Sequence, residues 1–198
     1  MWDARYADPD YIFGTQPSEF LARNQALLAN GGSALAVADG EGRNSVFMAE
    51  QGLKVTAMDS SAVGQEKARR LAAERGVEVD FRLADLRTWD WTPESYDIVA
   101  AIFIQFADPA FRAEIFDGME RTLKPGGVLL LHGYTPRQLA HGTGGPKAVE
   151  NLYEPDMLAE RFRHWEVMQL AEYETELKEG TRHAGQSALV DLVARKPG

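Results

Sequence analysis

No cysteine occurs among the 198 residues. Thiolate zinc sites, Cys–His nucleophilic catalysis and redox dithiols are thereby excluded, and no disulfide staples the fold. Long apolar runs are missing too. No stretch approaches the roughly 20 residues needed to cross a bilayer, and Met1-Trp2-Asp3-Ala4-Arg5-Tyr6 has no basic region followed by an apolar one. The expectation is a cytoplasmic protein with no membrane partner. Basic charge is also scarce: 21 Lys and Arg against 30 Asp and Glu leave a net charge of −9. With no basic run carrying interleaved aromatics, nucleic acid is not an expected partner. No metal site is expected, and oligomeric state is left open.

What is present is the make-up of an ordinary soluble globule. At 44% hydrophobic and 26% charged, a chain of this length buries a core without covalent help and suits a single domain. The expected parts are an N-terminal helical lid (1–33), a core (34–133), and a final loop, helix and hairpin (134–198).

From Ala34 to Gly133 apolar strand-like runs alternate with amphipathic stretches, the pattern of a parallel sheet flanked by helices. Strands are expected at Ala34–Ala38, Lys54–Met58, Glu78–Leu83, Tyr96–Ile104 and Val128–His132, with Tyr96–Ile104 deepest. Helices are expected from Asn44 to Gln51, from a Ser60 or Ser61 cap to Arg75, and from Asp108-Pro109, where aspartate caps and proline fits the first turn. Lys124-Pro125-Gly126-Gly127 stops that last helix. Beyond it lie a loop at 141–146, a helix over Glu154–Phe162 and an antiparallel pair, Glu166–Leu177 and Ser187–Ala194. Ser18 is expected to cap one helix carrying Phe20, Leu21, Asn24, Leu27 and Leu28. The expected fold is therefore α/β, a Rossmann-like seven-stranded, mostly parallel sheet with helices on both faces and an antiparallel C-terminal pair.

Chemistry concentrates at the ends of the first three strands. In Gly40-Glu41-Gly42-Arg43-Asn44 the glycines allow a tight turn and close approach of a ligand to N–H groups at a helix start. Asp59, ending the second strand, can accept hydrogen bonds from both hydroxyls of a ribose. Asp85, after the third, can accept one from an adenine amino group. Three loops converging on one sheet edge point to a nucleoside ligand.

The segments Ala34–Asn44, Val55–Ser60, Leu83-Ala84-Asp85-Leu86 and Leu123–Gly127 resemble, in order and spacing, the motifs of class I S-adenosylmethionine-dependent methyltransferases. The Gly-Glu-Gly-Arg-Asn loop and Trp2-Asp3-Ala4-Arg5-Tyr6 are similar to the tellurite-resistance and thiopurine methyltransferase-like branch, whose members methylate soft atoms such as sulfur, selenium or tellurium. The resemblance implies methyl transfer from S-adenosylmethionine to a small molecule, with S-adenosylhomocysteine as product. It implies cofactor contacts from Asp39, Gly40, Gly42, Arg43, Asn44, Asp59, Ser60, Asp85, Leu86 and Tyr11, the last from an aromatic cluster with Trp2, Tyr6 and Phe13. This sequence departs from the pattern at Ala36, where the family has an acid, at Ala38, where it has its first glycine, and at Asp39, where a small or apolar residue is usual. Either the loop is held differently or Asp39 supplies the carboxylate from a new position.

In-line displacement at a sulfonium needs alignment and exclusion of water more than acid–base groups. A thiol or protonated oxyanion must still lose a proton, and His183 with Arg182, read as a loop between the last strands, are the expected catalytic pair. His132, Tyr134 and Tyr153 are expected to line the acceptor pocket. Two other functions use the same features: a nicotinamide oxidoreductase, disfavoured by the single G-x-G, and a non-catalytic adenosyl-nucleoside-binding domain, motivated by Ala36 and Ala38.

Overall fold

A computed structural model describes residues 2–198. Its strands are β1 (Ser33–Val37), β2 (Lys54–Asp59), β3 (Asp80–Leu83), β4 (Tyr96–Ile102), β5 (Leu123–Tyr134), β6 (Glu166–Glu179) and β7 (His183–Arg195). Its α-helices are α1 (Trp2–Tyr6), α2 (Glu19–Arg23), α3 (Gln25–Leu28), α4 (Arg43–Glu50), α5 (Ala62–Arg75), α6 (Pro109–Thr122) and α7 (Pro155–Arg161). The seven strands form one sheet in the order β3-β2-β1-β4-β5-β7-β6, the expected mixed sheet with its central strand at β4. Among the described residues no helix is long and apolar enough to cross a membrane. Two compact units can be distinguished, residues 2–90 with 179–182, and residues 91–178 with 183–198.

In the first unit β1, β2 and β3 run parallel, with Val37 level with Met58 and Asp59 level with Leu83. That register starts three loops side by side: the Asp39 N–H donates to the Met58 carbonyl (3.1 Å) and the Ala84 N–H to that of Asp59 (2.9 Å). Strand β1 ends because Ala38 adopts a left-handed conformation, φ +48°. The Ser61 side chain caps α5 by accepting from the Gly64 N–H, and left-handed Gly76 closes it. Residues Ala68, Leu71 and Ala72 are buried, as their spacing requires.

The N-terminal region differs from expectation. The helix expected after Ser18 is two short ones, because the Asn24 amide donates to the Phe20 carbonyl (2.9 Å) and its backbone leaves helical geometry. Phe20, Leu21 and Leu28 are nonetheless buried. Helix α1 was not expected; the Asp3 carboxylate anchors it by accepting from Ser61 Oγ and the Val63 N–H.

In the second unit β4 and β5 are parallel, and β5 pairs antiparallel with β7 from Val128↔Arg195 to Tyr134↔Leu189. The expected turn at Lys124–Gly127 is an excursion within β5, where the register jumps from Tyr96↔Leu123 to Ile98↔Val128. Asp108 caps α6 through the Phe111 N–H (2.9 Å). The last hairpin is tighter than the connection expected between Leu177 and Ser187, since β6 reaches Glu179 and β7 starts at His183. Gly180, at φ +71°, makes the short turn possible.

Gly42 sits at φ +90°, and a Cβ there would lie 2.6 Å from that of Ala68. Gly42→Ala is therefore expected to destabilise the fold by about 2–4 kcal/mol, combining overpacking with left-handed strain. Ala38→Gly relieves strain at the cost of chain entropy and is expected to shift stability by no more than about 1 kcal/mol. Urea unfolding of both variants checks the contrast.

Candidate active site

Asp59 is the structural centre of the glycine loop. Its two carboxylate oxygens accept from the Gly40 and Ser61 N–H groups, each at 2.8 Å, tying the loop after β1 to the start of α5. Burial raises its pKa despite those bonds. A carboxylate offers about four acceptor positions, so capacity remains for ligand hydroxyls. Ser60, beside it, is exposed. Asp85 is also exposed and accepts from the Arg87 N–H (2.8 Å), a local turn, while Leu86 is buried.

Asp39 answers the question its position raised. Its carboxylate accepts from the Ser45 N–H (3.2 Å) and Ser45 Oγ (2.5 Å), so it caps α4. Ala36 is 2% exposed, so an acid at that position would be buried. Burial pushes the Asp39 carboxyl up to about 6, with neighbouring Asp59 adding to the rise.

Arg43 and Asn44, expected on the cofactor, have their side chains committed elsewhere. Arg43 donates to the Phe13 carbonyl (3.2 Å) and pairs with Glu179 (2.8 Å), and Asn44 accepts from the Ser18 N–H (2.9 Å). Glu41 accepts from the Ile12 and Phe13 N–H groups (3.3 Å each) and pairs with Lys67 (2.8 Å). Lys67 Nζ also donates to the Asp10 carbonyl (2.7 Å). The turn after β6 joins this assembly, because Thr181 and Arg182 N–H groups donate to the Ile12 carbonyl. The loop's charged residues thus hold residues 10–18 as a strap.

Tyr11 is likewise engaged within the protein. Its hydroxyl donates to the Lys67 carbonyl (3.0 Å), and its ring packs on Val46, Leu71 and Ala72 between α4 and α5. The aromatic residue at the glycine loop is Tyr6: its hydroxyl oxygen would lie 2.5 Å from a Cβ on Gly40, and its ring lies against Gly64. Burial and the charges of Asp59, Glu41 and Asp39 push its pKa well up.

The acceptor-side candidates divide. Arg182 is exposed in the turn of the first unit, whereas His183 is a buried residue of β7 in the second, so the two are not a loop pair. His183, His132 and Tyr134 share one neighbour, Phe103, with ring centroids at 4.1, 4.7 and 4.9 Å. Phe103 follows β4 at φ +57°. His132 Nδ1 lies 2.7 Å from Asp191 Oδ1, both residues 1% exposed. Tyr153 is buried against Phe116 and under Arg112, and its N–H donates to the Tyr134 carbonyl (3.0 Å). Tyr6 was named in the sequence only as part of the aromatic cluster, and the residues not singled out there are Glu41, Lys67, Phe103, Tyr173, Glu179 and Asp191. Asp191 had a signal: it is the lone acid in the apolar run Ala188–Ala194.

Comparison with known proteins converges on the same segment. Residues 34–127 match the methyltransferase domain family. Over 100 residues the chain is 34% identical to the ubiquinone biosynthesis O-methyltransferase of Idiomarina loihiensis, covering 50% of this chain and 41% of that one. The chain therefore matches about two fifths of that relative's length. The same segment lies within two broader structural likenesses. A structure reported under the conversion of a disulfide bond into a thioacetal group during echinomycin biosynthesis superposes with a TM-score of 0.78 at 20% identity, covering 99% of this chain and 91% of that one. TehB from Haemophilus influenzae gives 0.71 at 18%, covering 89% and 61%. These likenesses carry the fold.

The Asp39 shift sets a sign. With its folded pKa raised from 3.8 to about 6, the folded state holds this proton more tightly than the unfolded chain. The stability it contributes is complete below about pH 4 and is lost as pH rises through about 6, by at most about 3 kcal/mol. Asp39→Asn is expected to lose less stability between pH 4.5 and 7 than the wild type, by urea midpoints at both values. An unchanged difference between the midpoints contradicts the burial assigned to Asp39.

Proposed function

We propose that this protein transfers the methyl group of S-adenosylmethionine to a small-molecule acceptor and releases S-adenosylhomocysteine. The observation that carries this reading is the sign of charge at the glycine loop. Asp59, Glu41 and Asp39 act on the Tyr6 hydroxyl and outweigh Arg5, while the nearby cations Arg43 and Lys67 are paired with Glu179 and Glu41. Such a field favours a cationic sulfonium and ammonium and opposes the pyrophosphate of a nicotinamide dinucleotide.

The residues present fit the cofactor. Gly40 lacks the Cβ that Tyr6 would meet, and Asp59 has acceptor capacity for the ribose hydroxyls. Asp85 and Leu86 follow the adjacent strand as an acceptor and an apolar surface for adenine. When bound, the cofactor supplies an activated methyl group. The chain's own work is to orient it through Asp59, held by two backbone N–H groups, and to exclude water with Tyr6 and the strap. Arg43 and Asn44 act on the strap, and through it on the loop.

For the acceptor, the reading is a thiol or a selenium or tellurium oxyanion. It draws support from the Trp2–Tyr6 and Gly40–Asn44 resemblance, from the likeness to TehB, and from the sulfur chemistry named for the echinomycin structure. We place the protein in the cytoplasm as a single functional domain, with no nucleic-acid partner. A non-catalytic nucleoside-binding domain is the second reading, favoured by Ala36 and the strained Ala38.

Calorimetric titration with S-adenosylhomocysteine and with NADH separates these readings. Binding of the first alone is expected, and tight binding of NADH alone overturns the proposal. Asp59→Ala is expected to weaken S-adenosylhomocysteine tenfold or more, the loss of one or two charged hydrogen bonds of about 1.5–3 kcal/mol each. Release of S-adenosylhomocysteine against thiols, selenite, tellurite and small phenols then identifies the acceptor; binding without any release favours the second reading.

A further inference from the structure

Helix α1 is five residues long, too short to persist in water by itself, so its contact with α5 is what keeps it in place. That contact has two parts. In the first, the Asp3 carboxylate accepts from Ser61 Oγ at 2.5 Å and from the Val63 N–H at 3.3 Å, taking up a donor that the first turn of α5 leaves unpaired. Ser61 Oγ in turn accepts from the Gly64 N–H at 3.0 Å, and the Ser61 N–H holds Asp59 at 2.8 Å. Asp3 is thus one residue removed from the acid at the centre of the glycine loop.

The second part is Tyr6, whose ring stacks on Trp2 with centroids 5.7 Å apart and enters a slot between Gly40 and Gly64. A Cβ on Gly64 would lie 3.0 Å from Tyr6 Cδ2 and 3.2 Å from Cε2. Gly64 is not left-handed, so alanine would serve α5 better, and room for Tyr6 is the reason a glycine stands there. The Tyr6 hydroxyl reaches Gly40, whose N–H is the other donor to Asp59. Both residues that hold Asp59, Gly40 and Ser61, are therefore touched by α1. The two parts of the contact differ in exposure. Tyr6 and Ser61 are buried, whereas Asp3 is exposed and water competes for its bonds. Residues 7–9, which join α1 to the strap, are exposed as well, and the strap is anchored from the Asp10 carbonyl onward by Lys67 (2.7 Å). Residues 2–9 can swing away as a unit while Glu41, Arg43 and Lys67 keep the strap pinned.

We propose that α1 is a latch on the cofactor site: Asp3 holds Tyr6 in the slot between Gly40 and Gly64, and release of Asp3 from α5 frees the glycine loop for the cofactor to enter and its product to leave. This rests on the methyl-transfer reading above. Asp3 is a positioning residue, acting through Ser61 and Tyr6. Closed, the latch keeps water from the loop; open, it uncovers the two residues that orient Asp59. The same opening serves entry and exit, so loosening it speeds both directions and leaves the balance between free and bound protein nearly unchanged.

The test is stopped-flow fluorescence of S-adenosylhomocysteine binding to the wild type, Asp3→Ala and Gly64→Ala. Asp3→Ala removes the carboxylate; Gly64→Ala leaves it in place, strengthens α5 and makes Tyr6 give way. Both variants are expected to raise the association and dissociation rate constants together, by about three- to thirtyfold, with Kd within about threefold of the wild type. If Asp3 merely capped α5, Asp3→Ala would speed dissociation alone and weaken Kd in proportion, and Gly64→Ala would behave as the wild type. Either of those results overturns the proposal, as do unchanged rates in Asp3→Ala. The absence of cysteine allows a second readout without any ligand. Ser61→Cys supplies a single thiol at a buried position beneath Asp3, and adding Asp3→Ala or Gly64→Ala is expected to speed its modification by an aromatic disulfide reagent by about tenfold or more. Equal modification rates overturn the latch whether or not S-adenosylhomocysteine binds. Absence of S-adenosylhomocysteine binding in the wild type, with the modification rates still separated, is instead a failure of the methyl-transfer reading.

Discussion

The first unit depends on a set of buried charges that binds an irregular segment to the glycine loop. Residues 10–18 lie between α1 and α2 and have no ladder partners of their own, so their N–H and C=O groups must be satisfied from outside. Glu41, Arg43, Asn44 and Lys67 do this, and the Glu41–Lys67 and Arg43–Glu179 pairs, with side chains at most 6% exposed, neutralise the charges that result. A buried ion pair contributes little net stability when whole and is strongly destabilising when broken. The set is therefore a specificity device: it fixes where the strap and the turn after β6 run.

That constraint explains the loop's composition better than ligand contact does. Glu41, Arg43 and Asn44 alternate with glycines because the loop must both turn tightly and present side chains to the strap. Gly42 answers to α4–α5 packing against Ala68, and Gly40 to the approach of Tyr6. At Ala38 a left-handed conformation is held without a glycine, so the backbone path is imposed by its surroundings, among them the bond from the Ala38 N–H to Met58 Sδ.

Much of the fold was legible where one physical signal dominated. Ser61 and Gly76 bound α5, Asp108-Pro109 opens α6, and the unbroken apolar run of β4 marks the sheet centre, as expected of a strand buried on both faces. Met48, Met58 and Met119 are core filling, at most 1% exposed. The misses are of another kind. The break at Asn24 depends on a side-chain bond that competes with the helix, and the short hairpin depends on Gly180 seating against the strap near Ile12, Phe13 and Gly14. Tyr11 and Tyr6 were interchangeable on paper because both are aromatic residues before the first strand, and only their tertiary partners tell them apart. Arg43 and Asn44 were read as ligand contacts because motif position says where a residue lies, not which way its side chain is used.

The same distinction bears on histidine. His183 had drawn attention as part of an open loop with Arg182, a reading that followed from placing the hairpin strands too far apart. With β7 beginning at His183, the residue becomes a wall of the Phe103 cluster, and the acid beside an imidazole is found eight residues further on, at Asp191 opposite His132. A lone acid in the apolar run of β7 conflicts with local burial, and such conflicts mark functional or strained positions more often than packing errors. Phe103, left-handed at the end of the central strand and in contact with both histidines, is a second conflict at the same place. Two independent violations of local preference around one imidazole carry more weight than the identity of any single residue in the cluster.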